Sequence, residues 1–336
     1  MSNTNTNPPL PPPPTLQESH SGIPQNLLHK AFKAKSLIEA TKTPQAHPSQ
    51  PRTLALPPGL SRHAFDKALA ALRATLGESN VELADEPLKD GWYMEHSNVH
   101  DMMSVLDESA FVASAVAYPG STAEVQKVIL WANEFGVPLW PISMGRNLGY
   151  GGAAPRVRGS VVVDLGRRMN EVLDINAEDY TCLVEPGVSF YALHEEVKRR
   201  GLGEKMWIDT PDMGGRSVIG NTLDRGVGYT PLGDHWSNMS GLEVVLPTGE
   251  VVRTGMGALS GSNTWQTFPY GFGPLMDGLF SQSNMGIVTK MGMALMPNPG
   301  GYESFVSRPL PSLLGHASLT ISNRCTHSPT PTTSNH

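Results

Sequence analysis

The fold of this chain is decided by the segment Pro141-Ile142-Ser143-Met144-Gly145-Arg146-Asn147-Leu148-Gly149-Tyr150-Gly151-Gly152. It continues an apolar run, residues 137–142, that predicts a strand, and it holds four glycines within eight residues. Glycine adopts positive φ at little cost, so successive backbone N–H groups can converge on one anion. Arg146 and Asn147 add a positive charge and an amide donor. The loop therefore predicts a diphosphate cradle and a large phosphorylated cofactor.

The glycine spacing differs from that of two common phosphate-binding loops. A Rossmann fingerprint needs G-x-G-x-x-G between a strand and a helix. Here the glycines fall at 145, 149, 151 and 152, and Pro155 and Gly159 prevent a helix from following. A P-loop would close on Gly-Lys-Ser/Thr, which this loop lacks. The alternative is a glycine-rich turn that binds nothing.

Composition divides the 336 residues into a folded centre and two tails. Residues 1–58 are crowded with Pro, Thr, Ser, Asn and Gln, and residues 306–336 are rich in Ser, Thr, Pro and His. Such segments bury too little apolar surface to offset their ordering entropy. We therefore expect a disordered Pro-rich N-terminal extension over 1–58, a folded region over 59–305 and a low-complexity C-terminal tail over 306–336.

Charge and cysteine content narrow the function classes. The net charge is −6 without a basic stripe, which disfavours nucleic-acid binding. The chain has no 18-residue apolar run and no N-terminal signal pattern, so no membrane span or signal peptide is expected. Cys182 and Cys325 have no ligand-spaced partners, so neither a disulfide framework nor a metal site is expected. These features predict an intracellular protein, cytoplasmic or peroxisomal.

Periodicity predicts an α+β fold of two α/β subdomains, about 80–168 and about 169–305. Ser121 and Glu124 form a capping box ahead of a helix that ends at Gly136. Two further helices are predicted over 61–76 and 189–199. Strands are predicted over 111–118, 137–142, 161–165, 172–175, 180–184, 242–246, 251–254 and 285–295.

A second polar loop rich in glycine, residues 211–221, lies in the second predicted subdomain. Its Ser217 is placed to cap a short helix whose N-terminus would face an anion. Two such loops, one in each subdomain, predict an extended cofactor lying across the seam between them.

Residues 141–156 (PISMGRNLGYGGAAPR) resemble the flavin-diphosphate loop of the vanillyl-alcohol oxidase and p-cresol methylhydroxylase family. The similarity covers about residues 57–305 and is closest to the 4-alkylphenol oxidases of that family. Four further blocks carry it in the same order, at residues 207–221, 225–235 (RGVGYTPLGDH), 253–259 (RTGMGAL) and 268–301.

The resemblance implies an FAD-binding domain of the p-cresol methylhydroxylase (PCMH) type that clasps extended FAD. FAD is expected to bind non-covalently, because the family's covalent histidine lies in a C-terminal part without counterpart here. The positions that match FAD contacts are Pro141, Ser143, Gly145, Arg146, Asn147, Gly149, Tyr150, Gly151, Glu185, Pro186, Gly187, Pro211, Asp212, Gly215, Ser217, Val218, Gly220, Asn221, Gly286, Ile287 and Val288.

Three residues are implied as catalytic. Asp212 matches an aspartate beside flavin N5, where a carboxylate stabilises positive character at the benzylic carbon or acts as base toward water. Tyr150 would donate to the phenolate oxygen, and Tyr229 would form part of an aromatic cage. The alternatives are a turn aspartate and two packing tyrosines. His235 is interpreted as a structural residue or as one that contacts the site residues without contacting the substrate.

The implied parent reaction is hydride transfer from a para-substituted phenol to flavin N5 through a quinone methide, with O2 as acceptor. Such an enzyme is an FAD-dependent aryl-alcohol or 4-alkylphenol oxidase, and a homo-oligomer is left open. Because the similarity ends near residue 305, we expect the substrate cap domain to be absent, and we expect a truncated or mis-spliced product rather than a genuine shortened protein. The alternatives are a catalytically incompetent FAD-binding fragment and a hydroxy-acid flavin dehydrogenase.

Overall fold

The computed structural model describes residues 54–84, 112–146, 153 and 155–301. The predicted extension up to residue 53 and the predicted tail over 306–336 lie outside the described residues, and the limits of the subdomains stay a prediction. The helices are α1 (Arg62–Leu76), α2 (Thr122–Phe135), α3 (Phe190–Arg199) and α4 (Val218–Leu223). The strands are β1 (Val81–Leu83), β2 (Ala115–Ala117), β3 (Leu139–Ile142), β4 (Val161–Asp164), β5 (Val172–Asn176), β6 (Thr181–Val184), β7 (Met206–Trp207), β8 (Met239–Val245), β9 (Val251–Arg253), β10 (Ile287–Ala294) and β11 (Met296–Pro297).

Serine caps set the starts of the helices. The Oγ of Ser121 accepts the Glu124 N–H at 3.2 Å, and α2 ends at Gly136 in the left-handed region, so the predicted bounds of α2 are confirmed. The Glu124 carboxylate accepts the N–H of Gly120 at 2.7 Å, whereas in a capping box it would accept the N–H of the next residue, Ser121. The same carboxylate also binds Arg168. The Glu124 side chain thus ties α2 to the segment after β4.

The first sheet has the order β1-β2-β4-β3. β2 and β3 both run parallel to β4, and β1 pairs antiparallel with β2. The helix α2 connects β2 to β3. The later strand β4 lies between these two strands in the sheet. The helices α1 and α2 contribute to a core with the apolar side chains Phe65, Leu69, Leu72, Val125, Val128, Trp131, Val161 and Val163.

The second sheet has the order β5-β6-β10-β8-β9, and every neighbouring pair in it is antiparallel. β10 lies in the middle, with Met291 opposite Val184 of β6 and Leu242 of β8. The core here includes side chains of α3, α4 and the sheet, among them Phe190, Leu193, Val218, Ile219, Leu242, Val288 and Met291.

The helix α2 joins the two sheets. Gln126 and Asn133 donate to the carbonyls of Gly249 and Pro247 in the β8–β9 hairpin, both at 2.7 Å. Val245 and Ile287 of the second sheet belong to the core of the first. The seam between the sheets is therefore fixed by packing and by side-chain hydrogen bonds. Among the described residues, none of the helices is long and apolar enough to cross a bilayer.

Candidate cofactor and catalytic site

The first predicted loop leaves the end of β3 at the seam. Its described part ends at Arg146, whose Nη1 donates to the carbonyl of Gly215 at 3.1 Å. Ser143 and Gly145 are half-buried, and Gly145 adopts a φ of 62°. The two glycine loops thus meet at this hydrogen bond. Outside the described residues lie the candidate positions Asn147, Gly149, Tyr150 and Gly151.

The second loop is anchored through Ser217 at the start of α4. Its Oγ accepts the N–H of Gly220 at 3.0 Å, which confirms the predicted cap, and donates to the carbonyl of Pro186 at 2.6 Å. Val218 N–H donates to the Val188 carbonyl at 2.9 Å. The loop over residues 211–221 and the turn over 185–187 therefore form one connected surface.

The turn at Gly187 lies directly against Gly166, and glycine is required at both positions. A Cβ on Gly187 would lie 2.3 Å from the Gly166 oxygen, and a Cβ on Gly166 would lie 2.0 Å from the Ser143 oxygen. Real Cβ atoms do not approach backbone so closely, so three backbone segments pack here without side chains between them. The candidate segments after β3, β4 and β6 are therefore brought to one place.

The donor set of this surface fits an anionic diphosphate. Residues 141–146 include the guanidinium of Arg146 and no acidic side chain. Glu185 is half-buried and accepts the Glu171 N–H at 3.0 Å, and burial raises its pKa.

The remaining predicted cofactor segment, residues 286–288, lies in the second sheet. Ile287 and Val288 pair with Val245 and Val244, and both side chains are buried. A Cβ on Gly286 would lie 2.5 Å from Cγ1 of Val244. These side chains are committed to the core, so only the backbone of the segment is available to a ligand.

Asp212 and Tyr229 are brought together at the surface of the seam. The hydroxyl of Tyr229 donates to Oδ1 of Asp212, although the two residues are 17 positions apart. The tyrosine is 74% exposed. The hydrogen bond and the adjacent carboxylate raise the pKa of Tyr229, because both favour the protonated phenol. The predicted partner Tyr150 lies outside the described residues.

A row of three polar side chains lies beneath this pair, with Asp209 and His235 buried and Asn221 half-buried. Nε2 of His235 lies 2.6 Å from Oδ2 of Asp209, and its Nδ1 lies 2.5 Å from Oδ1 of Asn221. Asp209 lies in the block 207–221 but was not among the predicted site residues. Asn221 was predicted to contact FAD, and its side-chain oxygen lies against His235.

The Asp209 carboxylate is ionised. Burial raises its pKa, but hydrogen bonds from Thr230 and His235 outweigh burial and lower it overall. Within the described ranges, no group of three or more His, Cys, Asp and Glu residues is arranged to bind a metal.

Comparison with known proteins supports the cofactor assignment. A family model described as an FAD-binding domain matches residues 113–255. The 4-cresol dehydrogenase (hydroxylating) flavoprotein subunit of Pseudomonas putida is 41% identical over 257 residues, which are 76% of this chain and 47% of that protein.

Two solved structures share both sequence and fold with this chain. One is 4-ethylphenol oxidase from Gulosibacter chungangensis in its isoeugenol complex, 44% identical with a TM-score of 0.67 over 73% of this chain and 45% of that one. The other is p-cresol methylhydroxylase with substrate bound, 42% identical with a TM-score of 0.66 over 73% and 46% of the two chains. The chain spans less than half the length of these relatives.

Proposed function

Because this chain belongs to the FAD-binding p-cresol methylhydroxylase (PCMH) family, we propose that it binds FAD non-covalently and serves the oxidation of para-substituted phenols, with O2 as acceptor. The hydrogen bond between Tyr229 and Asp212 carries the proposal, since it places a carboxylate and a phenol together beside the seam. The relatives at 41–44% identity are named for 4-cresol, 4-ethylphenol and p-cresol, which are para-alkylphenols.

FAD would be held by the described parts of both loops. Arg146 and the backbone after β3 would bind the diphosphate, and residues 211–221 would run beside the remainder of the cofactor. When bound, FAD would supply the acceptor for the hydride that a phenolate releases from the benzylic carbon of its para substituent. The glycine contacts at 166 and 187 support this assignment, because they bring the first loop and the turn over 185–187 close without intervening side chains.

Asp212 and Tyr229 would act on the substrate. The Asp212 carboxylate accepts from Tyr229 through Oδ1. We propose that this carboxylate stabilises positive character at the benzylic carbon or takes a proton from the water that adds there. Tyr229 would line the aromatic cage, and Tyr150 would donate to the phenolate oxygen and hold the substrate ionised.

The test is a flavin spectrum of the purified 336-residue chain after incubation with FAD and gel filtration. Anaerobic addition of vanillyl alcohol or eugenol should then bleach the bound flavin. D-lactate serves as the control substrate and should leave it oxidised.

The outcomes separate the alternatives. A chain that carries no flavin would overturn FAD binding. Flavin that binds but stays oxidised with every phenol would leave an FAD-binding domain without catalytic competence. Bleaching by D-lactate instead would favour hydroxy-acid oxidation.

A further inference from the structure

His235 is fully buried and connects three separate segments of the chain. Its ring packs on Phe190 of α3 with 5.2 Å between ring centroids. Because the ionised carboxylate of Asp209 can only accept, Nε2 of His235 carries the shared proton. On the other side of the ring, Nδ1 faces Asn221 of α4. The imidazole thus joins the segment after β7 to the helix that ends the second loop.

The other oxygen of the Asp209 carboxylate binds the backbone that carries Tyr229. Oδ1 accepts the N–H of Tyr229 at 3.2 Å and the N–H of Thr230 at 2.7 Å. Gly228 permits this approach, because a Cβ there would lie 1.4 Å from Oδ2 of Asp209. One buried carboxylate therefore fixes both the histidine and the tyrosine loop.

The Tyr229 ring itself contributes little to its own position, because it is 74% exposed. The direction of its hydroxyl therefore depends on the backbone at 228–230. Asp212, the acceptor of that hydroxyl, belongs to the loop that leads into α4, whose Asn221 faces His235. Both members of the pair are thus tied to the same buried row.

We propose that Asp209 and His235 are positioning residues that hold Tyr229 against Asp212. The proposal deepens the proposed function, since it rests on Asp212 and Tyr229 acting on the substrate. It assigns neither Asp209 nor His235 a contact with substrate or cofactor. Their effect on the chemistry passes through the geometry of the pair.

The experiment follows the Tyr229 hydroxyl directly by NMR titration of the full chain labelled with 13Cζ-tyrosine. The chain has eight tyrosines, and Tyr229→Phe identifies the signal. In the unchanged chain, the pKa of Tyr229 should lie above the ordinary value of 10.0, because Asp212 accepts a hydrogen bond from its hydroxyl. The charged group that faces this hydroxyl in the described structure is Asp212.

Asp209→Asn should move the Tyr229 titration down toward 10, as Asp212→Asn should, with the fold retained by circular dichroism. Asp234→Asn is the matched control: Asp234 is an exposed carboxylate in the same loop that accepts from Ser237. It removes one negative charge beside His235 while leaving the side-chain hydrogen bonds of Asp209 and His235 in place, and the Tyr229 titration should not move.

A second variant covers the case in which Asp209→Asn fails to fold. Gly228→Ala displaces the loop from the carboxylate while leaving every charge in place, and it should also lower the pKa of Tyr229. If either folded variant leaves the Tyr229 titration unchanged while Asp212→Asn shifts it, positioning by Asp209 is wrong. The measurement uses neither flavin nor phenol, so its failure is independent of the proposed oxidation.

Discussion

At the scale of single residues, the Tyr229–Asp212 hydrogen bond is what distinguishes this seam from a plain nucleotide-binding surface. Asp212 is exposed and its carboxylate accepts a hydrogen bond from a phenol, an arrangement that a turn aspartate capping its own loop would not require. The turn interpretation does not account for this hydrogen bond, and the catalytic role of Asp212 stays a prediction.

Asp212→Ala should slow anaerobic reduction of bound flavin by eugenol about 100-fold or more, the usual range for loss of a positioned acid or base. FAD affinity should stay unchanged, because none of the contacts that join the two loops uses this side chain. Stopped-flow bleaching and FAD titration measure the two quantities. Asp174→Ala, at an exposed position on β5, is the control. Loss of flavin in Asp212→Ala would instead assign the residue a structural role.

The residues that sequence reasoning could and could not find differ in the range of their interactions. Asp212 and Tyr229 stand in recognisable blocks, and so did His235. Asp209 acts through His235, 26 positions away, and through backbone N–H groups about 20 positions away. Such contacts leave no periodic or spacing signal, so only the folded chain reveals them.

At the scale of elements, caps made the helices predictable. Ser61, Ser121, Ser189 and Ser217 each accept an N–H from the first turn that follows. The strands β7 and β11 have two residues each, too few to show alternation. The predicted strand over 111–118 was too long, since β2 spans Ala115–Ala117 within the described residues.

Ser217→Ala and Ser189→Ala form a matched pair of cap deletions. Each should lower the free energy of unfolding by about 1 kcal/mol, measured by urea denaturation. Only Ser217 also donates to Pro186, so only Ser217→Ala should weaken FAD binding, by about tenfold. An equal loss of FAD affinity in both variants would mean that the Pro186 contact has no special role.

At the scale of the whole molecule, Glu243 holds the two sheets together from a buried position on β8. Its Oε1 accepts from Thr122 of α2 at 2.8 Å and from Lys290 of β10 at 2.7 Å, and its Oε2 accepts from Arg253 at 2.7 Å. Burial raises the pKa of this carboxyl, but the three donors outweigh burial and lower the pKa to about 2. This ionised carboxylate therefore adds to the packing and to the hydrogen bonds from α2 that fix the seam.

Stability should fall on the acid side because of this group. The ordinary pKa of 4.5 drops to about 2 on folding, so the stabilisation is complete above pH 4.5 and is lost as pH falls toward 2. The contribution of Glu243 to the free energy of unfolding is about 3 kcal/mol, at roughly 1.4 kcal/mol per pKa unit. Urea denaturation from pH 3 to 7 should show a flatter profile for Glu243→Gln. Glu250→Gln, at an exposed hairpin position, should keep the parent slope.

The central place of β10 sets the order in which a chain leaving the ribosome can be completed. The β5–β6 and β8–β9 hairpins are complete in sequence before β10 is made, so β6 and β8 each keep an open edge until Ile287–Ala294 has been synthesised. Open edges invite pairing with other chains. Translation that stalls before residue 287 would therefore leave two hairpins with open edges. Such a product would be degraded or would aggregate, and it would not fold as a smaller flavoprotein.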